Sequence, residues 1–316
     1  MNEQPIERLP DGFVYEAMVA GIKKSGKLDL SLIAATRPAV AAGVYTQNLV
    51  HATSIDWCRA RTPSDQIRAI VVNSGNANAC TGKEGEANNR RLAELAGKHA
   101  GCETDQVLVL STGVIGRQLP MPIIEAAWER FPALSAAHDA YLRAADGITT
   151  TDNRRKIATG SFTHQGRTYS VANMAKGAGM IGPNMATMLA IVTTDFPLSV
   201  PLAQVAVSTA ANHSFNRISV EGHTSTNDAL LLLSSEHDPN LTVDDEGYMK
   251  FVSALQETCL TCAKLIPADG EGATHLMNIR VHGTMSDSDA DQIARAIANS
   301  ALVKCAIHGN DPNWGR

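Results

Sequence analysis

Nowhere in the 316 residues do roughly 18 apolar residues run together, the length a transmembrane helix requires. The net charge is −5 and no run of Lys or Arg occurs, which argues against a nucleic-acid or anionic-membrane surface. The start, MNEQPIERLPDGF, lacks the basic-then-apolar pattern of a secretory signal. Six cysteines scattered over so long a chain suggest reduced thiols and a cytoplasmic protein, not a disulfide framework. Cys259 and Cys262 form one C-x-x-C, but a zinc site wants a second pair or histidines at defined spacing. The ten histidines contain no H-x-x-x-H, so no metal is expected, and the two cysteines read as packing on a helix face. G-x-S-x-G and G-x-x-x-x-G-K-[ST] are both missing, which argues against a hydrolase elbow and a P-loop. There is no internal repeat, no low-complexity tract and no linker rich in Pro, Gly or Ser.

What is present fits a globular protein with a substantial core: 44% of residues are hydrophobic and 19% charged. QIRAIVVNSG and QVLVLSTGVIG read as buried strands, each running into a glycine turn. KEGEANNRRLAELAGKHAG has helical periodicity and stops at Gly101. LPMPIIEAAWERF and LSAAHDAYLRAAD are helical in pattern. GSFTHQGRTYSVANMA is a hairpin turning at Gln165-Gly166. ATMLAIVTTD predicts a strand, VPLAQVAVSTAANHSF a helix, and ISVEGHTSTNDALLLLSSE strand material around a polar loop. A helix is expected from about Asp244 to Leu265, then a strand in HLMNIRVHG, then a helix in DSDADQIARAIANS with an acidic first turn. Strand and helix do not alternate strictly, so the fold class is α+β, not a doubly wound parallel sheet.

KGAGMIGPNMATMLAIVTTD, from Lys176 to Asp195, holds a literal G-x-G-x-x-G at Gly177, Gly179 and Gly182. A dinucleotide cradle would need a helix and a second strand before its acidic residue. Only 12 residues separate Gly182 from Asp195, too few for both. Glycine also lets a chain bend and approach other backbone closely. Such a bend ahead of Ala186-Thr187 suits a strained peptide that the Thr187 hydroxyl attacks. An N-to-O acyl shift followed by hydrolysis leaves Thr187 as a new N-terminus. It then carries a nucleophile and an α-amine base on one residue. Taken alone, a threonine opening a strand is the plainer reading.

The wider pattern shifts that balance. MAKGAGMIGPNMATMLA resembles the self-cleavage segment of the ornithine acetyltransferase family, also called glutamate N-acetyltransferases. VVNSGNANACTG, LSTGVIGRQLPM, SFNRISVEGHTSTND, DGEGATH and HGNDPNWGR resemble the family in the same order, over nearly the whole chain. The resemblance implies a layered α+β sandwich related to N-terminal-nucleophile enzymes. It implies acetyl transfer from N-acetylornithine to glutamate in arginine biosynthesis, with acetyl-CoA a second donor in some members and no cofactor. It also implies self-cleavage at Ala186–Thr187 into chains 1–186 and 187–316, assembled as an α2β2 heterotetramer. By motif, Thr187 would be the nucleophile, Thr112 and Gly113 the oxyanion hole, and Thr150, Lys176, Thr187 and Glu271 the substrate site. Lys176 would pair with the acceptor's carboxylate, and Glu271 with the ammonium of ornithine or the acceptor's α-amine.

The chain departs from the family at some positions. The resemblance implies a tail past the position of Arg316 that supplies an Asn and a Ser or Thr to the substrate; either this chain is shortened or its acceptor side is incomplete. His223 stands where the family has an acidic residue and His275 where it has Lys or Arg, so both are expected to alter substrate preference. Gly182 and Thr149 also differ from the family's usual residues. Three other functions stay open: an N-terminal-nucleophile amidohydrolase delivering the acyl group to water, a dinucleotide-binding protein, and an uncut, non-catalytic assembly protein.

Overall fold

The computed structural model describes residue 6, residues 8–182 and residues 188–313. Strand β1 (Phe13–Met18) pairs antiparallel with the long β2 (Leu30–Tyr45). Helix α1 (Thr53–Arg59) leads into β3 (Ser64–Asn76). Helix α2 (Gly82–Ala100) then crosses over to β4 (Val107–Val114), which lies parallel to β3. α2 ends as expected: Gly101 adopts φ 67°, and its N–H closes the helix on Gly97 O. Helices α3 (Met121–Trp128) and α4 (His138–Gly147) follow. The hairpin β5 (Lys156–His164) and β6 (Arg167–Lys176) turns at Gln165 and Gly166, both at positive φ, as a two-residue connection requires.

Strand β7 (Leu189–Thr194) pairs antiparallel with β6. Helix α5 (Val200–His213) carries the chain to β8 (Ala229–Ser234), parallel to β7. The long helix α6 (Glu246–Ala268) is capped by Asp245, whose carboxylate accepts from the N–H groups of Gly247 and Tyr248. Helices α7 (Asp287–Ala298) and α8 (Ala301–His308) close the described chain; α8 is a helix the sequence pattern had not suggested.

The strands form one sheet in the order β4-β3-β2-β8-β7-β6-β5, with β1 on the free flank of β2. β2 is the seam. Leu30–Ala34 pair with both β1 and β3, while Val40–Tyr45 pair with β8, and the register breaks between Ala34 and Ala39. The two halves of the sheet share one apolar core. Ile70 and Val72 of β3, Ile191 of β7 and Leu231 of β8 all point into it. Their alternate neighbours face outward: Ala69 and Val71 pack under α2 and α3, and Ala190, Val192 and Leu232 pack under α5 and α6. The result is the layered α+β sandwich expected, with α2, α3, α5 and α6 on the outer faces, α1 and α4 packed into the shared core, and β7 and β8 buried along their whole length. Cys259 and Cys262 lie on the buried face of α6. No helix among the described residues is long and apolar enough to cross a membrane.

The strand expected over HLMNIRVHG does not form. Its period-two pattern is real, since Met277, Ile279 and Val281 are half-buried between exposed neighbours. No described strand lies alongside to take its backbone hydrogen bonds, and alternation alone does not make a ladder.

Candidate active site

The parallel pair β3–β4 ends at Gly75 and Gly113, which lie opposite each other. Both have positive φ, 106° and 133°, and Asn76 then pairs with both Thr112 and Val114. This irregularity places Thr112 and Gly113 at a bend near the end of β4. Asparagines hold it there. Ser111 Oγ donates to Asn73 Oδ1 at 2.6 Å, and Asn73 Nδ2 donates to Asn76 O at 2.8 Å. From the other half of the sheet, Asn227 Nδ2 donates to Ala77 O and Ser111 O at 2.7 and 2.9 Å.

Lys176, the last residue of β6, meets this bend. Its buried ammonium donates to Thr112 Oγ1 at 3.2 Å. With its oxygen accepting from Lys176, the Thr112 hydroxyl is free to donate elsewhere. Burial lowers the Lys176 pKa, and the negative charge of Asp152 opposes the shift. Asp152 itself is the hub of the corner. Its Oδ1 accepts from Gly177 N at 2.7 Å and Lys156 Nζ at 2.6 Å, and its Oδ2 accepts from Thr150 N at 2.9 Å. Burial disfavours its charge, but Lys176, Lys156 and the donated N–H groups win and hold its pKa at about 2. Lys156 also donates to Asp269 Oδ2 at 2.8 Å, two residues before Glu271. Thr150, Lys176 and Glu271 are thus brought to one corner by a buried Asp–Lys–Asp cluster.

Glu271 is exposed, and its backbone N–H bonds to Ala178 O at 3.0 Å. Its carboxylate covers Gly179, where a Cβ would sit 2.8 Å from the Glu271 carboxyl carbon. The two face an open cleft of about 720 Å³ that Ile115, Met180, His223 and Thr226 also line. His223 therefore reaches the cleft, with Nδ1 3.9 Å from Glu221. His275 does not line it; that ring bonds to Thr274 Oγ1 at the surface. The proposed scissile pair Ala186–Thr187 lies outside the described residues.

The glycine run is not a dinucleotide cradle. β6 and β7 pair antiparallel, whereas that motif joins parallel strands through a helix. Instead the glycines permit close approach: a Cβ on Gly182 would lie 2.5 Å from the Gly222 carbonyl carbon. Three further groups escape the sequence reading. Asp152 and Asn227 act through hydrogen bonds to distant backbone that no local pattern announces. Asp228 is buried beside them, and its Oδ1 accepts from Met188 N at 2.9 Å. Burial raises its pKa well above the usual carboxylate range, against the pull of the Met188 N–H and of Lys176. The Asp228 carboxyl is thereby fixed to the residue that follows Thr187 in the chain.

The pattern of the ArgJ family matches residues 14–316. The arginine biosynthesis bifunctional protein ArgJ of Rhodopirellula baltica is 46% identical over 313 residues, 98% of this chain and 76% of that one. Its counterpart in Geobacter sulfurreducens is 44% identical over 309 residues, 96% of this chain and 78% of that one. Among solved structures, the arginine biosynthesis bifunctional protein ArgJ of Bacillus halodurans superposes with a TM-score of 0.53 at 34% identity. It covers 56% of this chain and 92% of its own. Ornithine acetyltransferase from Mycobacterium tuberculosis, solved in complex with ornithine, gives 0.52 at 37% identity, over 55% and 92%.

Proposed function

This chain belongs to the ArgJ family, and from that membership we propose that it moves an acetyl group from N-acetylornithine to glutamate in arginine biosynthesis. One observation carries the reading: Lys176 Nζ meets Thr112 Oγ1 at the bend that presents the Gly113 N–H, beside the cleft containing Glu271. A buried threonine hydroxyl followed directly by a glycine N–H at one bend suits a tetrahedral oxyanion.

In this scheme the chain first cuts itself between Ala186 and Thr187. Thr187 Oγ1 then attacks the acetyl carbonyl of N-acetylornithine while its own α-amine takes the hydroxyl proton. Thr112 and Gly113 hold the oxyanion, and Lys176 orients the Thr112 hydroxyl. The α-amine returns the proton to the departing ornithine nitrogen, leaving an acetyl ester on Thr187. Glutamate enters and its amine takes the acetyl group. Thr150 lines the site, and Glu271 pairs with the ornithine side-chain ammonium. Acetyl-CoA serves as a second donor, in keeping with the bifunctional name of the relatives. The cut chains assemble as α2β2 in the cytoplasm.

N-terminal sequencing of the purified protein should find two starts, one of them Thr-Met-Leu, and Thr187→Ala should leave one uncut chain. Double-reciprocal plots at several fixed glutamate concentrations should be parallel. N-acetylornithine alone should add one acetyl mass to the fragment that begins at Thr187. A single uncut wild-type chain, or acetate release that needs no amino-acid acceptor, would overturn the scheme; the second outcome identifies an amidohydrolase.

A further inference from the structure

Lys23 lies in the turn between β1 and β2, in none of the motifs that resemble the family. The turn is pinned by Asp29, whose carboxylate accepts from the N–H groups of Ala20, Gly21 and Lys23 at 2.6, 3.1 and 2.8 Å. This lays the lysine stem on the oxyanion bend: a Cβ at Gly75 would sit 3.0 Å from Lys23 Cγ and 3.4 Å from its backbone nitrogen. Gly75 is the residue opposite Gly113. The Lys23 ammonium donates to Leu28 O at 2.6 Å and has no other partner among the described residues, so donors remain unused.

Two cations therefore flank one bend, Lys176 on the β6 side and Lys23 on the β3 side. Lys176 is buried and donates to the Thr112 hydroxyl, whereas Lys23 is only half-buried. Asp152 is within electrostatic reach of Lys23, but its carboxylate already accepts from Lys156 and two backbone N–H groups and makes no hydrogen bond to Lys23. Withdrawal from water brings the Lys23 pKa down to about 8; Asp29 pulls the other way and Lys176 adds repulsion. A half-buried cation with spare donors beside a second cation is a place for an anion.

We propose that Lys23 binds the α-carboxylate of the amino-acid substrate, a specificity contact at the oxyanion bend. The assignment rests on the acetyl-transfer reading, because that reading sets which anion arrives. With the acetyl oxygen held by Thr112 and Gly113, the α-carboxylate of N-acetylornithine is only a few bonds away. The side-chain ammonium extends further, toward Glu271. Glutamate presents the same α-carboxylate at the same distance from its amine, so one anchor serves donor and acceptor.

Ornithine and putrescine, which is ornithine without its carboxylate, separate this contact from all others. Calorimetric titration of the purified wild-type protein should show ornithine binding at least tenfold more tightly than putrescine. In Lys23→Met that preference should fall to within about twofold, while putrescine affinity and the melting temperature stay near wild type. Lys23→Arg should keep most of the preference. An undiminished preference in Lys23→Met would overturn the assignment and leave the acetyl-transfer reading intact. Equal weakening of both ligands would do the same, because it marks a merely structural turn residue. A wild-type protein that binds neither ornithine nor glutamate would overturn the functional reading and this assignment with it.

Discussion

A Cβ at position 113 would stand 2.5 Å from the Asn76 nitrogen and closer still to the Gly75 carbonyl carbon, on a residue with φ of +133°. The obstructing atoms are backbone, so nothing can rotate away. Gly113→Ala is expected to cost at least about 1–3 kcal/mol in urea unfolding, from the strained dihedral alone, and to abolish turnover by moving the bend. Thr112→Ala tests the same hole without disturbing the backbone. Losing one oxyanion donor costs about 2.7–4 kcal/mol, or 100- to 1000-fold in rate, so the processed enzyme should slow by that factor at near-normal stability. Thr112→Ser, which keeps the hydroxyl, should recover most of the rate; a Thr112→Ala rate within about threefold of wild type would place the residue outside the site. The strand end at Thr112 and Gly113 was legible because an apolar run stops on Ser-Thr-Gly, whereas the oxyanion role proposed for them came only through the family resemblance. Lys176 was legible through the family resemblance as a partner for the acceptor's carboxylate, but not as a buried ammonium donating to the Thr112 hydroxyl. Lys23 was not legible at all, because what matters is which glycine its stem crosses, and that is fixed only when β1, β2 and β3 pair.

At the scale of elements, the corner of the site depends on three buried charges. Lys156 of β5 holds Asp152, which carries the Gly177 and Thr150 N–H groups, and Asp269, which follows α6. Lys156→Met would leave two carboxylates without their buried partner, a loss worth about 3–5 kcal/mol. Urea unfolding at neutral pH should register it, and N-terminal sequencing should show whether processing also fails. The cluster also predicts an acid response. Folding lowers the Asp152 pKa from 3.8 to about 2, so its contribution is complete above the unfolded value and is lost as pH falls through the folded one. The contribution is about 2 kcal/mol, and stability measured from pH 5 down to pH 2 should fall by about that much between pH 4 and pH 2. Asp152→Asn should flatten that segment of the curve; an unchanged slope would exclude Asp152 as its source. The elements around the cluster were easy to read, since the Gln165-Gly166 turn and the apolar runs of β6, β7 and β8 are local signals. The cluster was not, because Asp152 and Asp269 are far apart in sequence and sit in loops without periodicity.

Across the whole molecule, stability is unevenly distributed. The two halves of the sheet and α5 and α6 bury their apolar faces almost completely, whereas α7 and α8 contain no buried residue. Residues 275–283 make no ladder, and α7 and α8 attach to the segment before β8 through a few polar contacts. Arg295 donates to Asn216 O at 2.8 Å, Ser219 to Asn299 at 2.5 Å, and Lys304 to Val220 O. The pattern of residues announced α7 through its acidic first turn, and Ser286 caps it in the structure, yet such signals report a helix's existence and not what it packs against. That is why the strand in HLMNIRVHG was expected and is not found. Hydrogen exchange measured by mass spectrometry on the isolated protein should therefore divide the chain. Amides of β6, β7, β8 and α6 should exchange at the global unfolding rate, and those of α7 and α8 orders of magnitude faster, since opening them exposes little apolar surface. Leu276, Ile293 and Leu302 are 48%, 45% and 59% exposed, so a cover over them would change the result directly. Protection of α7 and α8 equal to that of α6 would mean that another surface buries those side chains, and diluting the protein would then distinguish a second copy, whose protection falls with concentration, from a contact within one chain, whose protection does not.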